Sequence, residues 1–357
     1  MRILLAGVYG LPSGVEVYTR LLAEELARRG HAVTIATRSP RIRSRTHAAE
    51  HDGGSIQEAP VPTASWRMKR FVRSLEGIRT HAAIGALASE IGADVVHATY
   101  LDLAASGDRP LVATAWDPEP GPLRRARLAR ERGDTPWEEF LYAITDRLAC
   151  RRAAEIIAVT HAAEAGLSRN GTRSAYVPAF LRDEAISPQA PTRSKDCVMV
   201  ANTIDAPRKG LDIAIESVRA AREQVAEMRL ILLGSWVDRA RIGTLPSFCE
   251  AHGEVSADAV AEALRSAGCC LLPSLWEEYG FAGLEALAAG TPLVCGPLPA
   301  FSGLESDGIV VVPARTPDSF AEALVRAIEI RQFTFPRECR ASSAVPRILE
   351  TYEAAAS

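Results

Sequence analysis

Residues 1–37, MRILLAGVYGLPSGVEVYTRLLAEELARRGHAVTIAT, contain the pattern that decides the fold class of this chain. Arg2 to Val8 is a short apolar run typical of a buried strand, and a glycine-rich loop follows it. Val15 to Arg29 carries apolar side chains at helical spacing, and Gly30 is placed to end that helix. Because Val33 to Thr37 is again a short apolar run, the segment predicts the strand–helix–strand unit of a parallel sheet.

The same alternation continues along all 357 residues and predicts two domains. Further strands of the first domain are predicted at Asp94 to His97, Pro110 to Thr114 and Ile156 to Val159. Arg182 to Lys195 is rich in Ser, Pro, Thr and charged residues and has no periodicity, so we expect a linker there. The predicted domains are therefore 1–182 and 183–344, with a C-terminal helix at 345–357 packing back on the first.

The second domain repeats the pattern of the first. Its predicted strands are Cys197 to Ala201, Leu230 to Gly234 and Cys269 to Leu272. Its predicted helices are Gly210 to Ala221, Ala257 to Ser266 and Gly283 to Ala289. Doubly wound α/β sheets bind ligands at the carboxyl ends of their strands, so we expect these ends to line a cleft between the two domains.

Composition excludes several classes of protein. With 47% hydrophobic and 24% charged residues, the chain has the composition of a soluble globular protein. The sequence contains no uncharged apolar run long enough to span a membrane, so no membrane-spanning helix is predicted. The seven cysteines are scattered and lack C-x-x-C spacing, which favours a reducing cytoplasm over a disulfide scaffold or a zinc site. The seven histidines show no metal-ligand pattern either, so no metal or other cofactor is predicted.

Charge is spread unevenly around the net value of −3. Residues 1–182 have a formal charge of +5 and the remainder −8. A mildly basic first domain favours an anionic acceptor or a membrane surface, but the bias is too small to indicate nucleic acid. Trp66 to Phe71 has the composition of a lipid contact and also that of an ordinary surface segment, so peripheral membrane contact is not favoured.

Glu277 to Glu285, EEYGFAGLE, places two carboxylates eight positions apart between a predicted strand and a predicted helix. Carboxylates accept hydrogen bonds from the vicinal hydroxyls of a sugar or a ribose. The glycines let backbone N–H groups approach a phosphate at the helix N-terminus, where the helix dipole favours negative charge. A glutamate-rich loop before an ordinary exposed helix is the alternative, and the spacing alone leaves both open.

The surrounding sequence resembles a known family. Leu272 to Glu277, with Gly280-Phe281, Leu284 to Ala286 and Ala289 to Val294, resembles the E-x7-E region of retaining family 4 glycosyltransferases of GT-B fold. Further resemblances lie at Ser13 to Glu16 with Leu26 to His31, at Asp94 to His97 and at Arg208 to Gly210, in the order of the family. The resemblance implies two Rossmann-like doubly wound domains facing a central cleft, the first for the acceptor and the second for a nucleotide-sugar donor.

On the donor side, the resemblance implies a role for each glutamate. Glu285 would bind the nucleotide ribose and Glu277 the donor sugar. Backbone groups of Tyr279, Gly280 and Phe281 would contact the sugar and the diphosphate.

The resemblance also implies cationic and first-domain contacts to the diphosphate. Lys209 would neutralise the departing diphosphate with Arg208 as a helper, although a solvent-facing lysine at a helix start fits the pattern as well. Ser13 and Gly14 would form the first-domain loop that meets the diphosphate, and an ordinary tight turn is the alternative.

The acceptor side depends on residues that follow first-domain strands. Trp116 and Asp117 come directly after a predicted strand and are expected to line the acceptor side. His97 lies at the end of another predicted strand, where it faces either the cleft or the core.

The chain departs from the family pattern at three places. Asn202 stands where the family often has an arginine that pairs with the diphosphate, and Trp116 where many members have a histidine near the reacting carbon. Glu278 and Ala282 replace a common glycine and a common proline. These departures bear on the expected donor and rate more than on the expected reaction class.

The predicted function is transfer of a sugar from a nucleoside-diphosphate sugar to an acceptor hydroxyl with retention of configuration. No D-x-D pair stands at a strand end, so the reaction is predicted to need no metal. The acceptor is a small natural product, a glycan or a lipid, and the donor base and oligomeric state are left open. A non-hydrolysing sugar-nucleotide epimerase and a non-catalytic nucleotide-sugar-binding protein are the alternatives; the glycine spacing after the first strand argues against a nicotinamide-dependent oxidoreductase.

Overall fold

The computed structural model describes residues 1–7, 14–37, 54–61, 82–99, 107–116, 149–187, 193–277 and 279–357. Within these ranges the chain forms two compact α/β units. The first unit contains the described residues from Met1 to Phe180 together with Ala341–Ser357, and the second contains those of Leu181–Arg340. No helix in these ranges is long and apolar enough to cross a membrane.

The first unit is built on a parallel sheet with the strand order β3-β2-β1-β4-β5-β6-β7. The strands are β1 Arg2–Ala6, β2 Ala32–Thr37, β3 Ser55–Pro60, β4 Val95–Ala98, β5 Leu111–Ala115, β6 Glu155–Ala158 and β7 Ala175–Tyr176. Its helices include α1 Gly14–Arg28 and α2 His161–Arg169. β4 and β5 are buried along their whole length, which is why they are apolar except for His97 and Thr114.

The second unit is a six-stranded parallel sheet with the order β10-β9-β8-β11-β12-β13. The strands are β8 Cys197–Thr203, β9 Leu230–Ser235, β10 Cys249–Gly253, β11 Cys269–Leu272, β12 Leu293–Cys295 and β13 Ile309–Val311. The helices are α3 Leu211–Ala221, α4 Ala257–Ser266, α5 Phe281–Ala288 and α6 Pro317–Ala327. Two parallel sheets with helical connections confirm the predicted α/β class.

The four edge strands, β3, β7, β10 and β13, were not predicted from the sequence. β3 and β10 each lie at the end of their sheet, and their residues are only partly buried. Both contain polar residues within the strand, such as Gln57 in β3 and His252 in β10. An edge strand has one hydrogen-bonded neighbour and one solvent-facing side, so it does not need the apolar run that marks a central strand.

The C-terminal helix, α7 Ala341–Ala356, belongs to the first unit, where it contacts β4, β5 and β6. It starts four residues before the predicted start at Val345 and continues through Pro346. A proline inside a helix removes one backbone hydrogen bond, which made the shorter helix the natural prediction. Ala341 and Ala344 are buried, so packing of this first turn offsets the lost bond.

A buried histidine ties α7 to the sheet. His97 on β4 is fully buried, with Nδ1 2.6 Å from the Tyr352 hydroxyl on α7 and Nε2 2.7 Å from Thr114 Oγ1 on β5. Burial lowers the pKa of His97 to about 3, so the imidazole is neutral at physiological pH. Its two ring nitrogens therefore act as one donor and one acceptor between three elements.

This burial predicts an acid-sensitive first unit. Between about pH 6.5 and about pH 3 the unfolded chain takes up a proton that folded His97 does not, so the free energy of unfolding should fall by about 1.4 kcal/mol for each pH unit in that window. His97→Gln cannot titrate, and urea unfolding between pH 5 and pH 7.5 should show a correspondingly shallower loss. The control is His161→Gln at a half-exposed site on α2, which should keep the wild-type slope. Equal slopes for His97→Gln and the wild type would contradict the assignment.

Candidate active site

The candidate site lies at one edge of the second sheet. β8 and β11 are neighbours and run parallel, with Cys197 paired to Cys269. Their carboxyl ends therefore reach the same edge of the sheet, where β8 leads to the turn Pro207–Lys209 and β11 leads to the loop 273–277. This topology brings together residues 68 positions apart in the sequence.

A buried ion pair joins the two segments. Lys209 Nζ donates to Glu277 Oε1 at 2.6 Å, and Ser274 Oγ donates to the same oxygen at 2.5 Å. Arg208 Nη1 lies 3.6 Å from Glu277 Oε2. Lys209, Ser274 and Glu277 are all buried, so each charge depends on the other for the stabilisation that water would otherwise give.

Backbone contacts hold the same two segments together. The Leu275 N–H donates to the Arg208 carbonyl at 2.8 Å, and Arg208 Nη1 donates to the Trp276 carbonyl at 3.5 Å. The Arg208 guanidinium also lies 5.8 Å from the centre of the Trp276 ring, within the range of a cation–π contact. Arg208 is thus fixed next to the ion pair and presents a second positive charge there.

Gly210, directly after Lys209, is required by its surroundings. Its φ is 74°, in the left-handed region, and it caps α3. A Cβ at this position would lie 2.6 Å from the Pro273 carbonyl oxygen and 2.9 Å from Arg315 Nη2. Arg315 Nε donates to that same carbonyl at 2.9 Å. Because glycine has no Cβ, the two loops and the Arg315 guanidinium can approach each other closely at this position.

α5 begins at Phe281, within the E-x7-E motif, so its N-terminus lies between the two glutamates in sequence. Gly280 is its N-cap residue, with a φ of 83°, and no described side chain caps the helix. Backbone N–H groups at such an end carry partial positive charge and bind phosphate readily. Tyr279 and Phe281 turn their side chains inward: both are buried, and the Tyr279 hydroxyl lies 3.5 Å from Cys339 Sγ. These side chains therefore do not face a ligand, and the backbone contacts predicted for this loop stay a prediction.

Glu285 lies further along α5 and differs from Glu277 in its environment. Burial raises the pKa of Glu285 to about 7, so close to half of the carboxyl groups are protonated at neutral pH. The raised value reflects a desolvated carboxyl group, the kind of group whose shifted titration often marks a functional site.

The residues assigned to the acceptor side have a different position. His97 is held in the core of the first unit by Tyr352 and Thr114. Trp116 is also buried; its indole N–H donates to the Thr99 carbonyl at 2.7 Å, and its ring packs edge-on against Tyr18. Both side chains are buried in the first unit: His97 takes the core position that the sequence left open, and the acceptor-side role suggested for Trp116 stays a prediction.

The remaining predicted positions divide between described and undescribed residues. Asn202, near the end of β8, is exposed, and its carbonyl accepts a hydrogen bond from Ser235 Oγ. Gly14 is the first residue of α1. Ser13, Asp117, Glu278 and the stretch Trp66 to Phe71 lie outside the described residues, so the roles suggested for them stay predictions.

Two residues at this edge, Ser274 and Arg315, had no role predicted from the sequence. Ser274 belongs to the run that resembles the family, and its distance of three positions from Glu277 was the available signal. Arg315 follows β13 and had no signal, because its partner Pro273 is 42 positions away. Within the described ranges no group of three or more His, Cys, Asp or Glu residues could hold a metal ion; metal-independent transfer stays a prediction.

Both units match known families. Residues 12–178 match the family described as Glycosyltransferase Family 4, and residues 194–329 match the one described as Glycosyl transferases group 1. The chain belongs to glycosyltransferase family 4. The resemblance identified in the sequence is confirmed, the protein is a glycosyltransferase, and the epimerase and binding-protein alternatives are not favoured.

Individual proteins agree with the family 4 assignment. A phosphatidyl-myo-inositol mannosyltransferase of Mycolicibacterium smegmatis is 26% identical over 358 residues, covering 95% of this chain and 87% of the relative. The structure of sucrose-phosphate synthase from Thermosynechococcus elongatus superposes with a TM-score of 0.71 at 20% identity, covering 100% of this chain and 96% of that one. HepE of Anabaena in complex with UDP and glucose gives 0.67 at 16% identity, covering 99% and 96%. These likenesses confirm the GT-B fold.

The geometry around Gly210 predicts a sharp difference between two glycines of the second unit. Gly210→Ala combines left-handed strain with a clash against the Pro273 carbonyl and should lower the free energy of unfolding by about 2–3 kcal/mol. Gly243→Ala is the control, because its Cβ would meet no atom within 4 Å, and it should change stability by less than about 0.5 kcal/mol. Urea unfolding measures both, and equal losses would show that the close approach at Gly210 is unimportant.

Proposed function

We propose that this family 4 glycosyltransferase moves a sugar from a nucleoside-diphosphate sugar to an acceptor hydroxyl with retention of anomeric configuration. The buried Lys209–Glu277 pair is the observation that carries the proposal. It places a cation and a hydrogen-bonding carboxylate at the carboxyl edge of a doubly wound sheet, where such folds bind ligands. Glu285 follows on the adjoining helix with its carboxyl group partly desolvated.

Each group has a proposed partner on the donor. Glu285 accepts hydrogen bonds from the ribose hydroxyls, and Glu277 contacts the sugar. Lys209 and Arg208 face the diphosphate, together with the backbone N–H groups at the start of α5. Because Asn202 carries no charge, the cations of this unit that serve the diphosphate are those of the turn Pro207–Lys209.

The proposed reaction is balanced without a side-chain base. The bond between the anomeric carbon and the diphosphate oxygen breaks, and the acceptor oxygen bonds to the same face of that carbon. The acceptor proton passes to an oxygen of the departing phosphate. Negative charge that develops on this phosphate is stabilised by Lys209, Arg208 and the helix N-terminus, so the proposal includes no metal ion.

The comparisons support the substrate classes. HepE of Anabaena was determined with UDP and glucose, which supports a nucleoside-diphosphate sugar as the donor. The mycobacterial relative is named for phosphatidyl-myo-inositol, which makes a polyol hydroxyl the first acceptor to test. We assign acceptor binding to the first unit. All seven cysteines are free thiols, which supports a cytoplasmic location.

A donor panel tests the proposal. UDP-, GDP-, ADP- and dTDP-sugars are added to the protein, and thermal unfolding is followed. At least one should raise Tm, because a ligand present at 100 times its Kd stabilises the folded state by about 2.7 kcal/mol. Adding myo-inositol or a hexose to that donor should then release the nucleoside diphosphate.

Two variants make the panel specific. Glu285→Ala should abolish the Tm shift, since it removes both acceptors of the ribose hydroxyls. Glu322→Ala, at an exposed position on α6, is the matched control and should keep the shift. If no donor stabilises the wild type, or if Glu285→Ala keeps the full shift, the proposed donor site is wrong.

Donor affinity should also depend on pH. Binding requires ionised Glu285, whose pKa in the free protein is about 7. The Kd should therefore fall about tenfold between pH 6 and pH 8 and then level off. Titration calorimetry with an intact nucleotide sugar measures this, because its phosphodiester groups do not titrate in that range. Glu285→Gln should bind weakly and show no such dependence, whereas affinity that falls as pH rises would mean that a protonated carboxyl is the binding form.

A further inference from the structure

Ser274 makes a contact whose consequence goes beyond holding a loop. Its buried hydroxyl donates at 2.5 Å to Glu277 Oε1, the oxygen that also receives the Lys209 ammonium at 2.6 Å. A carboxylate oxygen has two lone pairs. Two donors at these distances therefore occupy Oε1 fully.

The other oxygen of Glu277 is left in a different state. Arg208 Nη1 lies 3.6 Å from Oε2, which is longer than a hydrogen bond, and the described residues give this oxygen no closer donor. Oε2 therefore keeps its acceptor capacity. Because the carboxylate cannot rotate without breaking both bonds to Oε1, the direction of Oε2 is fixed as well.

We infer that Ser274 is a positioning residue for donor-sugar selection: it holds Glu277 so that Oε2 alone is presented to the hydroxyls of the transferred sugar. This inference rests on the proposed function, and it names the part of the donor that Ser274 affects. Ser274 acts on the sugar through Glu277. It has no part in binding the nucleoside diphosphate, which depends on Glu285, Lys209 and the N-terminus of α5.

Lys209 alone does not fix the carboxylate in this way. A lysine ammonium is a compact charge on a flexible stem and has little directional preference. The serine hydroxyl is attached by one short side chain, three positions from Glu277 in the same loop. The Ser274 hydroxyl therefore selects Oε1 over Oε2 of Glu277, and the Lys209 ammonium binds the oxygen that the serine has selected.

The experiment separates the contribution of the sugar to donor binding from that of the nucleoside diphosphate. Kd values of UDP and UDP-glucose, and of GDP and GDP-mannose, are measured by calorimetry for the wild type and Ser274→Ala, and kcat and KM are measured with the pair that binds. Ser274→Ala should bind the free nucleoside diphosphate within twofold of the wild type. It should lose about five- to tenfold in affinity for the nucleotide sugar and in kcat/KM, the effect of one hydrogen bond.

Three further variants exclude a merely structural effect. Ser274→Thr keeps a hydroxyl and should restore most of the affinity for the nucleotide sugar that Ser274→Ala loses. Ser217→Ala removes an equally buried serine of the same unit whose hydroxyl bonds only to the Ile213 carbonyl of its own helix, and it should leave donor preference unchanged. In the background of Glu277→Gln, Ser274→Ala should cause no further loss of sugar discrimination, because both changes disrupt the same contact.

The outcomes are distinct. Equal weakening of nucleotide and nucleotide sugar in Ser274→Ala, or no change in either, would overturn the positioning role while the wild-type data still support the proposed donor site. Full additivity with Glu277→Gln would also overturn it. If the wild type binds no nucleotide sugar of the UDP, GDP, ADP and dTDP panel, the proposed function and this inference fail together.

Discussion

The buried ion pair between Lys209 and Glu277 is the interaction on which the second unit's functional edge depends. Two opposite charges removed from water are tolerated only if they stay in contact and their remaining hydrogen-bond donors and acceptors find partners. That requirement explains the neighbouring residues: Ser274 completes the shell of one carboxylate oxygen, and Gly210 lets the two loops approach. Arg315 then holds the Pro273 carbonyl from the other side. The site is therefore organised by an electrostatic constraint before any ligand binds.

The same edge holds two glutamates in two electrostatic environments. Glu277 is paired with a cation and a hydroxyl, whereas burial raises the pKa of Glu285 on α5 to about 7. Environment, and not residue type, separates their chemistry. In the proposed reaction the paired glutamate contacts the sugar, while the desolvated one must be ionised to bind the ribose. A single E-x7-E motif thus combines a carboxylate held by two hydrogen bonds with one whose pKa is raised by burial.

The first unit uses buried polar groups for a different purpose. His97, Thr114 and Tyr352 join β4, β5 and α7 through hydrogen bonds made inside the core, and the indole of Trp116 donates to a strand carbonyl. These contacts attach the C-terminal segment to a sheet formed by the start of the chain. Polar atoms satisfied in this way do not face solvent. Trp116, one of the positions at which the sequence departs from the family pattern, is buried in this core.

The sequence by itself determined the α/β class, the family and the E-x7-E motif, because strand and helix periodicity and motif spacing are local properties of the chain. It also pointed to Lys209, whose contact with Glu277 the structure then provided; the ligand roles of both stay predictions. Only the tertiary structure decided the four edge strands β3, β7, β10 and β13, the early start of α7 through Pro346 and the core position of His97. It alone showed that Ser274 and Lys209 share one oxygen of Glu277. Each of these depends on neighbours brought close by sheet order, and sequence separation carries no information about burial or about which oxygen a donor reaches.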